Sequence, residues 1–276
     1  MSKTEAPNRE QSELWNQVNG PVWVAQQALL DRMLAPLADH LIAKGFPGEG
    51  RLGLDIGCGA GTTTLAMAAR LGPAGRCLGV DISAPLIAAA KGRASSAEFT
   101  LADAQTYAFE RGAFDAAISR FGVMFFEDPE AAFANIRTAM APGGRLLFAA
   151  WRGPAENLFM TTAKRAVAPL LPPQPAADPD APGQFAFADA VRVRRILVAS
   201  GWRDIEIAPL DAVCEIGGDK LMQYLTVVGP VAAALRELEA AIQRDAYERL
   251  SAAFAPFVEG GVARFTAACW SVSARA

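Results

Sequence analysis

The chain has 276 residues, of which 52% are hydrophobic and 20% are charged, a composition that is typical of a globular protein and argues against disorder outside the tails. Its length fits one large domain or one domain with an added cap. The formal net charge is -3, which gives no general attraction to phosphodiester backbones, so nucleic acid is not expected as a partner.

The spacing of the cysteines and the first residues of the chain are used to predict the cellular compartment of the protein. The cysteines are widely spaced, without the close pairs of zinc sites or small disulfide frameworks: Cys58, Cys77, Cys214 and Cys269. The start, MSKTEAPNREQSELW, is polar, and no stretch approaches about 18 uninterrupted apolar residues. We therefore predict reduced thiols, no metal site, no export signal, no membrane span and a cytoplasmic location.

The first predicted elements are helical. Apolar residues recur at helical spacing across residues 14–43, which predicts two helices with Gly20-Pro21 between them. From residue 51 onward, short apolar runs alternate with helical segments, as in repeated βα units that form a parallel sheet. The predicted strands of this region cover residues 51–56, 76–81, 98–102, 114–119 and 145–150.

Residues between and after these strands favour the same arrangement. Ser83 is placed to cap one helix and Asp128 another, and Pro142-Gly143-Gly144 is expected to end the second helix before the next strand. Prolines across residues 169–182 predict an irregular loop. Beyond it we predict a helix over 188–200, strands over 204–216 and 263–274, and a helical block over 219–257 between those two strands.

Residues 52–61, LGLDIGCGAG, join the first of these strands to the next helix. Ligands of open α/β sheets bind outside the carboxyl ends of the strands, so this loop is a candidate site. The loop fails the dinucleotide fingerprint because Thr62 stands where its last glycine belongs, and no Gly-Lys-Ser/Thr follows for a phosphate loop. What remains is the pattern D-x-G-x-G-x-G, which begins at Asp55.

With this pattern the chain resembles the class I S-adenosylmethionine-dependent methyltransferases, and it is similar to their small-molecule group, which includes enzymes of quinone biosynthesis. The resemblance implies an α/β fold with a Rossmann-like, doubly wound, seven-stranded and mostly parallel sheet whose last strand is antiparallel. It also implies an N-terminal helical lid over residues 1–46 and substrate-capping insertions over 156–182 and 218–258, the latter between the last two strands. The S-adenosylmethionine-binding core then covers 47–155, 183–217 and 259–276.

The resemblance also implies residue roles at the strand ends. Asp81, which lies 20 residues after Gly61, matches the acidic residue that holds the ribose hydroxyls, and Ile82 matches the residue on the adenine face. Asp103 and the backbone of Ala104 match the groups that meet the adenine amino group and ring. The implied cofactor-binding set is Asp55, Gly57, Cys58, Gly59, Gly61, Thr62, Asp81, Ile82, Asp103, Ala104, Arg120, Phe121, Trp15 and Trp23.

The charge of these residues is a separate argument for this cofactor. S-adenosylmethionine has no phosphate and is net positive, because its sulfonium and ammonium outweigh one carboxylate. Carboxylates at Asp55, Asp81 and Asp103 suit such a ligand, whereas they would repel a pyrophosphate. The glycines let the backbone approach the ligand closely.

The acceptor pocket is expected after the fourth and fifth strands of this region and in the two insertions. Its candidate residues are Met124, Phe125, Trp151, Phe159, Met160, Met222 and Tyr224. As a group they predict a small, largely apolar or aromatic acceptor, methylated by in-line displacement that is driven mainly by positioning. No catalytic side chain is identified, since the single histidine, His40, lies far in sequence from the strand ends.

Two alternatives stay open at the level of sequence. The acceptor could be a small carboxylate or amine, with Arg120 or Arg152 recognising an acid. The chain could instead be a non-catalytic protein that binds S-adenosylmethionine or S-adenosylhomocysteine. The acceptor atom and the oligomeric state, including a homodimer, are not determined by the sequence.

Overall fold

The computed structural model describes residues 7–45, 51–93, 96–172 and 178–276. The helices are α1 (Arg9–Leu14), α2 (Gly20–Ala25), α3 (Gln27–Met33), α4 (Ala35–Gly45), α5 (Thr62–Leu71), α6 (Ala84–Arg93), α7 (Pro129–Ala139), α8 (Leu158–Val167), α9 (Ala190–Ala199), α10 (Gly218–Gln223), α11 (Ala232–Arg236) and α12 (Ala240–Phe254). Single π-helical turns cover Trp15–Asn19 and Tyr224–Val228, and short 3₁₀ turns cover Gly122–Phe125, Ala168–Leu170 and Ala255–Phe257.

The strands are β1 (Leu52–Ile56), β2 (Arg76–Asp81), β3 (Glu98–Leu101), β4 (Phe114–Arg120), β5 (Met140–Trp151), β6 (Arg203–Gly217), β7 (Val258–Glu259) and β8 (Val262–Arg275). They form one sheet in the order β3-β2-β1-β4-β5-β8-β6, with β7 paired to β8. β1 to β5 are parallel, while β8 runs antiparallel to both β5 and β6. The predicted α/β fold, with its mostly parallel sheet and antiparallel last strand, is therefore confirmed. The two-residue β7 was not predicted.

The strand order reverses between β1 and β4, and this reversal fixes where a ligand can enter. At such a point the connections that follow the two neighbouring strands lead to opposite faces of the sheet. A crevice then forms between them at the carboxyl ends of the strands. Beneath it the sheet is covered by apolar groups, with Phe133, Phe148 and Phe187 fully buried and their ring centroids 5.6 to 6.1 Å apart. Such packing holds the strand ends in place.

The predicted strand bounds agree with the structure to within one or two residues, except in β5. That strand begins at Met140, so Pro142-Gly143-Gly144 lies inside it rather than before it. The pairing of β5 with β4 shifts between Phe114 and Ala116, and Gly143 has a positive φ of 73°. The turn residues therefore form an irregularity within the strand, where a glycine can adopt a conformation that costs other residues free energy.

The N-terminal helices break at places other than the predicted one. Gly20-Pro21 starts α2 directly after a π-helical turn, because proline is tolerated in the first turn of a helix. The breaks lie instead at Gln26 and Leu34, which leave helical geometry with ψ of 12° and 9°. Gly20 has a packing role, since a Cβ there would collide with the Trp15 carbonyl and the Ser83 hydroxyl.

Parts of the predicted domain boundaries lie outside the described residues. The boundary at 46/47 falls there, and so do residues 173–177 of the loop predicted over 169–182. Within the described ranges, no helix has both the length and the apolar character needed to span a bilayer.

Asn157 connects the loop after β5 to the last strand. The side chain is 2% exposed, its Oδ1 accepts from the Ala268 amide at 3.0 Å, and its Nδ2 donates to the Ala268 carbonyl at 3.0 Å. The Ala268 carbonyl also accepts from the Arg152 amide at 3.0 Å. The Asn157 side chain therefore satisfies the Ala268 amide, which would otherwise be buried without a partner.

We expect Asn157→Ala to lower the free energy of unfolding by about 1 to 3 kcal/mol, because the buried Ala268 amide would lose its partner, whereas the Ala268 carbonyl keeps its bond from the Arg152 amide. Urea unfolding followed by circular dichroism measures the change. Leu158→Ala is the matched control: its side chain is 54% exposed, so a change within about 0.5 kcal/mol is expected. Equal effects of the two substitutions would contradict this role of Asn157.

Candidate functional site

A cavity of about 360 Å³ lies at the carboxyl ends of the central strands. Most of the residues predicted to bind cofactor or acceptor line it: Trp15, Trp23, Gly57, Gly59, Asp81, Ile82, Asp103, Ala104, Arg120, Phe121, Met124, Phe125, Trp151, Met160 and Tyr224. The predicted cofactor and acceptor positions are thus brought together in one space.

The glycine loop after β1 forms the floor of the cavity. Gly57 and Gly59 line it with positive φ of 65° and 55°, a region that favours glycine. A Cβ on Gly57 would stand 2.6 Å from the Cα of Gly122 in the loop after β4, whereas a Cβ on Gly59 would meet no atom within 4 Å. Gly57 is therefore required by the contact between loops, and Gly59 leaves open space for a ligand.

Asp81 ends β2 and ties its carboxylate to the loop. Its Oδ2 accepts from the Gly59 amide at 2.8 Å and its Oδ1 from the Ser83 amide at 2.9 Å. Burial raises the pKa of Asp81 to about 6, although these amide hydrogen bonds act in the opposite direction. Each oxygen keeps a lone pair that can accept from a ligand hydroxyl.

Asp103 follows β3 at the far end of the cavity and is bound by the N-terminal segment. The Asn8 side-chain amide donates to both Asp103 oxygens, at 2.9 and 3.0 Å. The Asn8 backbone amide donates to Glu127 at 2.6 Å, and the Glu127 amide returns a bond to Asn8 Oδ1 at 2.7 Å. Asn8 therefore fastens the start of the chain across two strand ends.

Asn16 makes a second attachment of this segment. It donates to the Ile82 carbonyl at 3.0 Å and accepts from the Ala84 amide at 2.8 Å, so it caps the start of α6. Ser83, predicted to be that cap, instead donates its hydroxyl to the Trp15 carbonyl at 2.9 Å. The nearby segment offers Ser83 a better acceptor, which the local sequence does not reveal. The predicted cap at Asp128 is confirmed by its bond from the Ala131 amide at 2.9 Å.

Four residues of the implied cofactor set lie outside the cavity lining: Asp55, Cys58, Gly61 and Thr62. The Asp55 Oδ2 accepts from the Thr63 and Thr64 hydroxyls, each at 2.7 Å, and burial raises the pKa of its carboxyl. Asp55 thus holds the start of α5 against β1. The Thr62 hydroxyl donates to Asp31 at 2.7 Å.

The remaining two of these residues are packed below the loop. Cys58 lies in an apolar cluster with Ile87, Ala90 and Phe99, where burial raises the pKa of its thiol well above the usual range. A Cβ on Gly61 would stand 2.7 Å from the Phe99 ring. Both residues shape the loop from beneath. All four cysteines are free and buried.

The acceptor side of the cavity is aromatic. Phe121 and Trp151 stack with centroids 4.5 Å apart and planes 9° from parallel, and Phe121 has a positive φ of 70°. Positive φ is uncommon for a bulky residue and marks a position held by its surroundings. On the other wall, Trp15 packs edge-on against Phe125 and Trp23 at 5.3 and 5.7 Å.

Two predicted pocket residues, Phe159 and Met222, belong to the packed interior. Phe159 stacks on Phe265 with centroids 3.8 Å apart, and Met222 packs against the main core. The cavity also contains residues that were not predicted, among them Asn8, Gln11, Leu30, Met33, Gln184 and Phe265. These come from elements distant in sequence, and only Asn8, a polar residue ahead of a helix, carried a local signal.

The two candidate arginines differ in their partners. Arg152 pairs with Glu156 at 2.9 Å and Asp211 at 3.0 Å and is not part of the cavity lining. Arg120 lines the cavity, and among the described residues its side chain takes part in no ion pair or hydrogen bond. Burial lowers the pKa of its guanidinium, with Asp31 and Asp55 acting in the opposite direction. His40 is bound to the Ser271 hydroxyl at 2.8 Å, outside the cavity lining.

Part of this site matches a known protein family. Residues 54–148 match the family model described as "Methyltransferase domain". The nocamycin O-methyltransferase of Saccharothrix syringae is 31% identical over 40% of this chain and 41% of that protein. A demethylmenaquinone methyltransferase of Thermus thermophilus is 34% identical over 38% of this chain and 50% of that protein. The aligned part thus spans half of these relatives or less.

A solved structure shares the fold over the whole chain. The phosphoethanolamine N-methyltransferase 2 of Haemonchus contortus, in complex with S-adenosyl-L-methionine, has a TM-score of 0.59 and 17% identity, covering 100% of this chain and 61% of that one. At this identity the likeness concerns the fold. Together with the family match, it confirms the prediction that the chain contains a class I S-adenosylmethionine-dependent methyltransferase domain.

The donor set of the cavity fits this cofactor. Asp81 and Asp103 supply acceptors for hydroxyl and amino groups, and the open space above Gly59 admits a ligand close to the backbone. In the described ranges, no group of three or more His, Cys, Asp or Glu side chains is placed to hold a metal ion.

The affinity for S-adenosylhomocysteine is expected to fall below about pH 6. The pKa of Asp81 in the free protein is about 6, and ribose hydroxyls favour its ionised form. The protonated carboxyl must therefore lose its proton on binding, which weakens affinity about tenfold at pH 5 and has little effect above pH 7. Calorimetric titration from pH 5 to pH 8 measures this dependence. Asp81→Asn should bind more weakly, and its affinity should not depend on pH. A wild-type affinity that is constant from pH 5 to pH 8 would refute the assignment.

Proposed function

We propose that the protein transfers a methyl group from S-adenosylmethionine to a small, largely apolar or aromatic acceptor. The observation that carries the proposal is that a single cavity joins carboxylate-bearing strand ends to an aromatic wall. The first half suits the net-positive methyl donor, and the second suits a planar apolar acceptor.

The donor half holds the cofactor through three strand ends. Gly57 and Gly59 face its methionine part, Asp81 accepts from the ribose hydroxyls, and Asp103 with Ala104 meets the adenine. When bound, S-adenosylmethionine supplies a methyl carbon on a sulfonium leaving group, and the acceptor's lone pair forms the new bond as the carbon–sulfur pair stays on sulfur. The backbone at Arg120 and Phe121 borders the point where the two halves meet.

The acceptor half orients the second reactant and shields it from water. The stacked pair Phe121 and Trp151 offers a flat wall, while Met124, Phe125 and Met160 complete an apolar surround. Positioning of this kind can supply about 7 to 11 kcal/mol of the barrier reduction. Ligand pockets usually measure about 300 to 1,000 Å³, so a cavity of about 360 Å³ shared with the cofactor leaves room for a small acceptor only.

The N-terminal segment acts as the lid of this cavity. Asn8, Trp15 and Trp23 line it from above, and the bonds of Asn8 and Asn16 fasten the segment to the strand ends. We place the lid over residues 1–46 and the substrate-capping insertions over 156–182 and 218–258, with the core in the intervening parts. Entry of ligands requires the polar fastenings of the lid to open, and closure excludes water.

Binding and turnover test the proposal separately. Calorimetry with S-adenosylmethionine and S-adenosylhomocysteine should show binding of both, and mass spectrometry of an aromatic acceptor library should show products heavier by one methylene. The absence of cofactor binding would refute the proposal. Tight binding without turnover of any acceptor would favour the non-catalytic alternative.

Gly59→Ala should weaken S-adenosylhomocysteine binding at least tenfold. The new methyl group meets no protein atom within 4 Å, so it enters the space that the ligand needs. Gly112→Ala is the matched control, since Gly112 also has a positive φ, of 67°, with no atom within 4 Å of an added Cβ, and lies outside the cavity lining. Both changes should cost about 1 to 2 kcal/mol of stability, measured by urea unfolding. If Gly59→Ala binds as the wild type does, the donor half has been misplaced.

A further inference from the structure

Among the described residues that line the cavity, Arg120 is a cation to which the protein itself gives no hydrogen-bond partner. Arg120 ends β4 and lines the cavity. Its Nη1 is shielded from solvent and has no hydrogen-bond partner, and in the part of the chain that the structure describes no other atom of its guanidinium is bonded. An arginine has five N–H donors in a planar fork. The described residues of the protein use none of these donors, so all of them are available to a ligand.

An unpaired buried guanidinium is costly to the fold. Burying a charge without hydrogen bonds destabilises a protein by several kcal/mol. Asp31 and Asp55 lie near enough to favour the charged form, but neither carboxylate is hydrogen-bonded to the guanidinium. Asp31 accepts from the Thr62 hydroxyl and pairs with Arg93. The Asp55 Oδ2 accepts from the Thr63 and Thr64 hydroxyls. The arginine is therefore kept charged and left without a partner, which is the arrangement expected of a group that binds an anionic ligand.

Tyr224 adds a second free donor on the same cavity. It lines the cavity from the π-helical turn after α10, and within the described ranges its hydroxyl has no hydrogen-bond partner. Burial raises the pKa of this phenol to about 12, so at neutral pH it keeps its proton and donates. Arg120 and Tyr224 thus line the same cavity, Tyr224 in the region next to Phe159.

This region belongs to the acceptor half. Tyr224 packs against Phe159, which stacks on Phe265 of β8, and Phe265 pairs across the sheet with Cys214 of β6. β8 and β6 lie on the far side of β4 from β1, β2 and β3, which hold the donor half. The Tyr224 hydroxyl thus lies on the side of the second reactant, and Arg120, at the end of β4, lines the same cavity where the two halves meet.

We propose that the methyl acceptor is a small aromatic or conjugated molecule with an anionic oxygen, a carboxylate or an ionised enol, which Arg120 binds with help from the Tyr224 hydroxyl. This inference rests on the proposed function and names its substrate class. Arg152, the other candidate for recognising an acid, is already paired with Glu156 and Asp211.

An ionised acceptor also accounts for the lack of a base among the described residues that line the acceptor half. Its oxygen, or the carbon conjugated to it, attacks the methyl carbon with a lone pair and loses no proton, and the carbon–sulfur pair stays on sulfur. The products are the methylated acceptor and S-adenosylhomocysteine. The negative charge of the acceptor and the positive charge of the sulfonium neutralise each other in this step. A cavity that excludes water favours such a step.

The test uses two matched pairs of probes on protein saturated with S-adenosylhomocysteine. One pair is 2-naphthoate and 2-naphthamide; the other is 2-hydroxy-1,4-naphthoquinone, an acidic enol, and its methyl ether. Calorimetry should show that the wild type prefers the anion of at least one pair by about tenfold or more, as expected for charge-assisted hydrogen bonds. The pair that shows the preference identifies the source of the anionic oxygen.

The variants assign that preference to Arg120. Arg120→Met should abolish it, and a cooperative urea unfolding transition of the variant, followed by circular dichroism, reports that it folds. Arg120→Lys, which keeps the charge and loses the planar fork, should retain part of the preference, and Tyr224→Phe should reduce it by about threefold. Arg152→Met is the control and should leave the ratio unchanged.

Three outcomes would overturn the inference. The first is equal affinity of the wild type for both members of each pair, including no measurable binding of either. The second is a preference that survives Arg120→Met. The third is a loss of S-adenosylhomocysteine affinity of tenfold or more in Arg120→Met and Arg120→Lys, which would assign the guanidinium to the carboxylate of the cofactor. A wild type that fails to bind S-adenosylhomocysteine would refute the proposed function itself, so the two failures are distinct.

Discussion

The backbone contact between Gly57 and Gly122 is the constraint on which the rest of the site depends. A Cβ on Gly57 would stand 2.6 Å from the Gly122 Cα, and one on Gly122 would stand 2.7 Å from the Ile56 carbonyl oxygen. The Ser119 hydroxyl joins the same two loops by donating to that oxygen at 2.8 Å. The loops after β1 and β4 are thereby locked together at the point where the strand order reverses, and they separate a donor half from an acceptor half of one cavity.

The donor half could be predicted because each of its parts is local in sequence. Asp81 ends its strand, and Gly57 and Asp103 follow theirs by one and two residues, so finding the strands was enough to place them at one edge of the sheet. The residues of the acceptor half are not local in sequence. Trp151, Tyr224 and Phe265 come from elements separated by many residues, and their meeting depends on how the antiparallel strands and the helical insertion pack, which no local pattern encodes.

The sequence-based errors share a physical cause. Gly20 was interpreted as a turn residue and Ser83 as a cap, and both residue types do favour those local roles. In the structure each has a partner from elsewhere. Gly20 makes room for the Ser83 hydroxyl, and Ser83 donates to the Trp15 carbonyl. Where several partners compete for one polar group, tertiary packing decides between them.

The polar groups that the fold leaves without partners gather at the site. Among the described residues, the buried side-chain atoms without a hydrogen bond belong to Gln11, Asp55, Arg120 and Arg152, and the first three line the cavity or lie directly beneath its floor. Native interiors satisfy nearly all such atoms, because each one left over costs about 1 to 3 kcal/mol. That cost is already present in the folded chain before a ligand arrives. A ligand that bonds to these atoms therefore recovers free energy without paying again for their desolvation and ordering, which is the physical meaning of a preorganised site.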